Sequence, residues 1–320
     1  MKSAYRSHYG HAEVLSLREL ERPSPKADEL LIRVRAATVS RTDGAILQGR
    51  PWLMRCFCGL LRPRSTTPGC DFAGEVMAVG ERVTRFKVGE RLFGFDDLGL
   101  GSHSQYLCLA ESKALARIPE GVSFEHAAAS AEGAHYAINF LNKVGLESGQ
   151  TVLLNGATGA IGSALLQLLK QRGARVTATC PGAQAEWALG SGAERVIDFQ
   201  KQDFTHDPTR YDFVFDAVGK SSFGRCRPLL KPGAVYISSE LGPYAQNLGL
   251  ALCTPWLGGR KVVFPVPLRT QASLDLMQGL LAQGAFKPLI DRRFPLAEIQ
   301  AAYRLTLSGA KIGNVLVTMD

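Results

Sequence analysis

The sequence predicts an α/β protein made of a small β-barrel and a doubly wound parallel sheet inserted into it. Three features carry that expectation. The first third holds short runs of alternating apolar and polar residues broken by Gly and Pro, as in a small barrel. From about Gly149, apolar strands alternate with helical segments, the grammar of βαβ units. The tail drops that alternation and ends in helices and one strand.

In the first third, Leu30–Ala36 alternates, Phe72–Gly80 is a strand closed by glycine, and Val88–Phe95 and His103–Leu109 follow. Thr151–Asn155 is a buried-type strand. Ala160–Arg172 then places Ile161, Leu165, Leu168 and Leu169 on one helical face. The series continues with strand Arg175–Thr179, helix Gln184–Leu189 and strands Arg195–Asp198, Asp212–Asp216, Ala234–Ser238 and Lys261–Phe264. Helices are expected at Leu274–Gln283 and Leu296–Leu307, with a last strand at Gly313–Met319 that returns to the barrel. The expected division is 1–120 with 287–320 for the barrel domain and 121–286 for the nucleotide domain.

The chain has 320 residues, enough for two domains, with 46% hydrophobic and 21% charged residues, as in ordinary soluble proteins. No repeat or bilayer-length apolar run is present, and the polar start lacks the apolar stretch of a secretory signal; a cytoplasmic protein is expected. Seven scattered cysteines, never spaced CxxC, are neither a disulfide framework nor a zinc quartet. The net charge of +8 has one local concentration, Arg50 to Arg64, and no nucleic-acid motif accompanies it. A basic surface suits capture of a polyanionic cofactor.

The most informative stretch is Asn155-Gly156-Ala157-Thr158-Gly159-Ala160-Ile161-Gly162-Ser163, which follows a strand and opens a helix. That is the context of a dinucleotide site. Gly156 permits the tight turn, Gly159 lets backbone approach a pyrophosphate, and Gly162 lets the helix sit close on the sheet. The helix N-terminus offers free N–H groups to phosphates. Enzymes using NAD place an acid at the end of the second strand; here Ala178-Thr179-Cys180-Pro181 has none. NADPH is the expected cofactor, with the Thr179 hydroxyl available to its 2′-phosphate, although no Lys or Arg follows in 182–186.

Over nearly its whole length the chain resembles the medium-chain dehydrogenase/reductase family, in its zinc-independent, quinone oxidoreductase-like branch. The resemblance rests on an ordered series: Gly69-Cys70-Asp71-Phe72-Ala73-Gly74-Glu75-Val76, Val79-Gly80, Val88–Gly94, the Gly156 loop, Asp216-Ala217-Val218-Gly219 and Leu230-Lys231-Pro232-Gly233. It implies a GroES-like β-barrel catalytic domain and a Rossmann cofactor domain with the active site in the cleft between them. It further implies that Ala217, Val218 and Gly219 run beside the nicotinamide ribose, with Ser238 and Ser239 further along the cofactor. Zinc-dependent relatives bind metal through Cys, His and a later Cys or Asp. This chain has Ser40 and Cys70 at the first two places and a third place near Ala131 or Glu132, and it lacks the structural-zinc lobe. One Cys with carboxylates is a poor zinc set, so no metal is expected, and Asp71 is expected to join a hydrogen-bond network.

Without a metal to stabilise an alkoxide, the expected reaction is hydride delivery to an electron-poor acceptor, a quinone or an α,β-unsaturated carbonyl. Candidate donors to the developing oxyanion are Ser40, Thr42 and His135; Tyr136 is a weaker one. His135 reads equally as a residue that caps or packs its helix. No Tyr follows the turn in Gln48-Gly49-Arg50-Pro51-Trp52, which lowers the fatty-enoyl reading. Residues 51–63 form an apolar and basic insertion, read as a packed loop or lid ahead of a membrane-surface contact. The expected partner is a small hydrophobic carbonyl or quinone, with no membrane span and no nucleic acid as main partner; a homodimer is compatible with the sequence. The rival readings are a metal-free alcohol or aldehyde oxidoreductase and a non-catalytic NADPH-binding scaffold or sensor, since family members also serve structural and RNA-binding roles.

Overall fold

The computed structural model describes residues 1–257 and 259–319. The chain divides into two compact units: Met1–Glu132 together with Arg269–Asp320, and Gly133–Leu268.

The first unit opens with β1 (Lys2–Tyr5) antiparallel to β2 (Ser16–Glu19). Then come β3 (Glu29–Val39), α1 (Arg41–Gln48), α2 (Met54–Cys58), β4 (Asp71–Val79), β5 (Arg91–Phe95), β6 (Tyr106–Ala110), β7 (Leu115–Arg117) and α3 (Phe124–Ala128). β3 organises the sheet: its first half pairs with β6, its length with β4, and its end with the C-terminal strand, Val39 opposite Val315. Register shifts between Leu31 and Ile32 and between Val34 and Ala36 interrupt the β3–β4 ladder. Such bulges bend a strand and raise its twist, which lets the sheet curl. Alternate residues Leu30, Ile32 and Val34 point into a core with Phe72, Val76, Leu107 and Val315.

The second unit begins within α4 (Glu132–Leu141), whose first residue belongs to the first unit. It continues with β8 (Thr151–Asn155), α5 (Ala160–Gln171), β9 (Arg175–Cys180), α6 (Ala185–Ser191), β10 (Ala193–Asp198), β11 (Tyr211–Asp216), α7 (Phe223–Cys226), β12 (Leu230–Ser238), α8 (Gln246–Cys253) and β13 (Lys261–Val263). The six strands lie in the order β10-β9-β8-β11-β12-β13 and every pairing is parallel. This is the doubly wound dinucleotide-binding order, with the reversal of direction beside β8. Its core includes Leu153, Ile197, Val214, Leu229, Tyr236 and Val262.

The chain then returns to the first unit through α9 (Thr270–Ala282), β14 (Ile290–Pro295), α10 (Ile299–Ser308) and β15 (Asn314–Thr318). Segments 121–132 and 269–286, assigned from sequence to the nucleotide domain, therefore fall in the barrel unit. The cause is docking: α3 packs on β3 and β4, and the Gln271 side chain makes hydrogen bonds to both backbone groups of Leu115, at 3.0 and 2.9 Å. The insertion at 51–63 is not packed inward either, because Trp52, Leu53, Phe57, Leu60 and Leu61 are exposed. Among the described residues no helix is long and apolar enough to cross a membrane.

Candidate active site

In the second unit, the sheet register sets four residues side by side at the carboxyl ends of neighbouring strands. Thr179 stands opposite Asn155, Asn155 opposite Asp216, and Asp216 opposite Ser238. Crevices at this edge, next to the switch in strand order, are where such sheets bind ligands. Asp216 builds the following loop: its Oδ1 accepts from Asn155 Nδ2 and the Gly219 N–H, both at 2.9 Å, and its Oδ2 from the Ser221 N–H at 3.0 Å. Gly219 has φ +67, and a Cβ there would meet Glu240 Cγ at 2.0 Å, so only glycine fits.

The loop after β8 separates the roles of its glycines. Gly156 turns at φ +80, and an added Cβ would stand 2.8 Å from Val218 Cβ. A Cβ at Gly162 would fall 2.0 Å from the Gly156 carbonyl oxygen, so this glycine lets α5 press onto the loop itself. Gly159 differs: its φ is −77, and a Cβ would find only the Gly156 oxygen at 3.5 Å. The space over Gly159 is a cradle that a side chain would fill. No side chain caps α5, so the first-turn N–H groups at Ala160, Ile161 and Gly162 lack acceptors within the helix. Ala157 and Thr158 are buried beneath this turn, the Ala157 N–H donating to the Thr179 carbonyl at 3.0 Å. Among the described residues, Ser239 Oγ is a buried hydroxyl with no partner, whereas Ser238 Oγ accepts from the Glu240 N–H. A cradle, an uncapped helix start and an orphaned hydroxyl fit a dinucleotide.

Thr179 corrects one expectation. Its side chain is fully buried; the hydroxyl donates to Asn155 Oδ1 at 2.7 Å and accepts from the Gly156 N–H at 3.0 Å. It holds the phosphate loop against β9 and is not available to a 2′-phosphate. Gln184, which sequence reasoning passed over, has a buried Oε1 without a partner among the described residues, just beyond β9. Polar side chains after the second strand were the signal that would have found it.

In the first unit, Ser40 and Thr42 come together on one carboxyl group. Ser40 caps α1 in a capping box with Asp43: its Oγ accepts from the Asp43 N–H and its own N–H donates to Asp43 Oδ2, at 3.0 and 2.9 Å. The Thr42 hydroxyl donates to Glu132 Oε1 at 2.6 Å, and Ser40 also hydrogen-bonds Glu132. Among the described residues, Glu132 Oε2 is buried with no hydrogen-bond partner. Burial first, then the charges of Asp43 and Asp71, push the Glu132 carboxyl well above the usual carboxylate range, which favours its protonated form. Lys311 lies close enough to feel Glu132, and burial pushes its ammonium down to about 8. The sequence hint for Glu132 was a single acid after the run of small residues 127–131; for Lys311 there was none.

His135 lies in α4 of the second unit and is fully buried. Desolvation pushes its imidazole down to about 4, so it is neutral at pH 7 and carries no spare proton. Asn139 Nδ2 donates to the His135 carbonyl at 2.9 Å, and its Oδ1 accepts from the Leu268 N–H at 3.1 Å. The packed-helix reading of His135 therefore replaces that of a proton source.

The places where relatives hold zinc have been given other work. Ser40 and Asp43 are tied in the capping box, and Asp71 accepts from both the Thr38 N–H and hydroxyl, at 2.6 and 2.5 Å. Burial, then nearby carboxylates, pushes the Cys70 thiol well up, away from the thiolate that zinc requires. Among the described residues no group of three or more His, Cys, Asp or Glu side chains is placed to hold a metal ion, and the residues present do not fit a catalytic zinc.

Comparison with known proteins agrees with this architecture. Residues 26–120 match the family described as alcohol dehydrogenase GroES-like domain, and 191–317 that described as zinc-binding dehydrogenase. The chain is 30% identical over 316 residues to a quinone oxidoreductase of Pseudomonas aeruginosa, covering 92% of each. It is 29% identical over 331 residues to an NADPH-dependent alkenal/one oxidoreductase of Arabidopsis thaliana, covering 99% of this chain and 79% of the relative. The crystal structure of Escherichia coli quinone oxidoreductase complexed with NADPH superposes with a TM-score of 0.83 at 25% identity over the full length of both chains. With the barrel, the dinucleotide sheet and these relatives in agreement, the chain belongs to the medium-chain dehydrogenase/reductase superfamily of oxidoreductases, as a quinone oxidoreductase-like member.

Proposed function

We propose that this chain is an NADPH-dependent reductase that delivers hydride, without zinc, to a quinone or an α,β-unsaturated carbonyl. The observation that carries the reading is the buried Glu132 carboxyl, its proton affinity raised by burial, in contact with the Thr42 hydroxyl; in the other unit, the open cradle at Gly159 supports the nucleotide. One feature suits the nucleotide, the other the proton that must follow a hydride. NADPH is supported by the missing acid at the end of β9 and by relatives named for NADPH.

When bound, the reduced nicotinamide supplies the hydride; the protein supplies position and protons. In this reading the Thr42–Glu132 hydrogen bond reverses when the acceptor binds: Glu132 donates its proton toward the Thr42 oxygen, and the Thr42 O–H turns to the oxygen that gains charge as the acceptor is reduced. Glu132, 2.6 Å behind it, is the group from which that hydroxyl recovers a proton. Ser40 keeps α1, and with it Thr42, in place. In the second unit the α5 N-terminus and Ser239 hold the phosphates and ribose, and the loop built by Asp216 carries Ala217, Val218 and Gly219 along the nicotinamide end.

The test is NADPH consumption, followed optically, against a panel of quinones, enones and aldehydes. Turnover is expected with quinones or enones and weak or absent with simple aldehydes. Tight NADPH binding with no turnover on any acceptor would make the chain a cofactor-binding scaffold instead.

A further inference from the structure

Between Asp43 and Asp71 the sequence holds no acidic residue, yet it carries Arg50, Arg55, Arg62 and Arg64. In the same stretch Trp52 is 67% exposed, Leu53 60%, Phe57 57%, Leu60 58% and Leu61 86%. Large apolar side chains scattered singly on a surface are ordinary; five within one short segment are not.

The segment is firmly held, so the exposure does not come from a loose loop. Cys58, Gly59 and Pro63 are buried. The Tyr9 hydroxyl donates to the Gly59 carbonyl at 2.5 Å, the Arg64 N–H to the Cys58 carbonyl at 2.8 Å, and the Gly59 N–H to the Arg55 carbonyl at 2.9 Å. Gly59 has φ +118, and a Cβ there would stand 2.1 Å from the Arg62 carbonyl oxygen. The Arg55 guanidinium lies over the Tyr9 ring, 4.7 Å from its centroid, and donates to the Gly49 carbonyl at 3.3 Å. Small residues and backbone thus anchor the segment, while its large apolar groups face out beside the exposed Arg50, Arg62 and Arg64.

We infer that this segment docks the protein on an anionic phospholipid surface. An indole with leucine and phenylalanine side chains partitions into the headgroup boundary, while arginines at its rim meet lipid phosphates and anionic headgroups. Charge selects this occupant over a second copy of the chain, because the same arginines on both copies would repel across a shared patch. The inference stands whichever acceptor the enzyme reduces.

The test is co-sedimentation of the full chain with sucrose-loaded vesicles of phosphatidylcholine alone and of phosphatidylcholine mixed with phosphatidylglycerol. The expected result is pelleting with the mixed vesicles, weakened about tenfold in an Arg62→Glu, Arg64→Glu variant and reversed by salt. Trp52→Ser with Leu61→Ser should release the protein as well. All these positions are exposed, so circular dichroism and melting temperature should match the parent chain. Protein that stays in the supernatant with mixed vesicles overturns the inference, as does binding that none of the substitutions weakens. Sedimentation equilibrium showing that Trp52→Ser with Leu61→Ser dissolves a self-assembly overturns it in favour of a second copy.

Discussion

The hydroxyl of Thr42 lies 2.6 Å from Glu132 Oε1, a contact made across 90 residues of sequence. It joins the first turn of α1 to the start of α4 and sets a hydroxyl in front of a buried acid. A carboxyl whose burial raises its proton affinity, set beside a hydroxyl, is suited to donate a proton.

Glu132→Gln keeps the shape and removes the proton. Turnover with a quinone or enone is expected to fall about 100-fold, the lower range for loss of an acid catalyst, while NADPH affinity holds. Because the active form is protonated, wild-type turnover should decline as pH rises through the elevated Glu132 value, and the variant should lack that alkaline limb. Glu132→Asp should restore part of it. A Gln variant with the parent rate and pH profile would remove Glu132 from the reaction.

His135 makes a stability prediction with the opposite slope. Burial lowers its folded pKa to about 4, below the ordinary imidazole value of 6.5. The neutral ring therefore contributes its full stability above pH 6.5 and loses it as pH falls through about 4. The shift corresponds to about 3 kcal/mol. The difference in unfolding free energy between the parent chain and His135→Phe, measured by urea titration from pH 7 down to pH 4, should change by that order. A flat difference would show that the imidazole is not buried as neutral.

The two loop glycines should separate binding from folding. Gly159→Val adds side-chain atoms where only the Gly156 oxygen is near, at 3.5 Å, so the protein should fold and melt like its parent. Its NADPH titration, read by fluorescence quenching, should show no binding. Gly156→Val combines φ +80 with a contact of 2.8 Å to Val218 and should lower stability by about 1–3 kcal/mol. A Gly159→Val protein that binds NADPH normally would put the phosphates elsewhere.

Metal removal should change nothing. With Ser40, Asp43 and Asp71 engaged in hydrogen bonds and Cys70 a buried thiol, elemental analysis should find no stoichiometric zinc, and chelator should leave activity intact. About one zinc per chain, lost together with activity, would overturn this.

The two-part fold and the nucleotide loop were legible in the residues alone, because both are written in local terms. Alternation at Leu30, Ile32 and Val34, the helical face of Ile161, Leu165, Leu168 and Leu169, and the glycines between β8 and α5 are each read within a few neighbouring residues. The boundaries of the units were not legible, since they depend on where α3 and α9 dock, through pairs such as Leu115 and Gln271 that lie far apart in the chain. The same limit applied to chemistry. Contacts between distant segments are what spend the Thr179 hydroxyl on Asn155 and Gly156, hold His135 neutral, and bury Glu132 against Thr42 with its proton affinity raised. Protonation and hydrogen-bond capacity follow from burial and from partners brought in by distant segments, and no local pattern of residues encodes either.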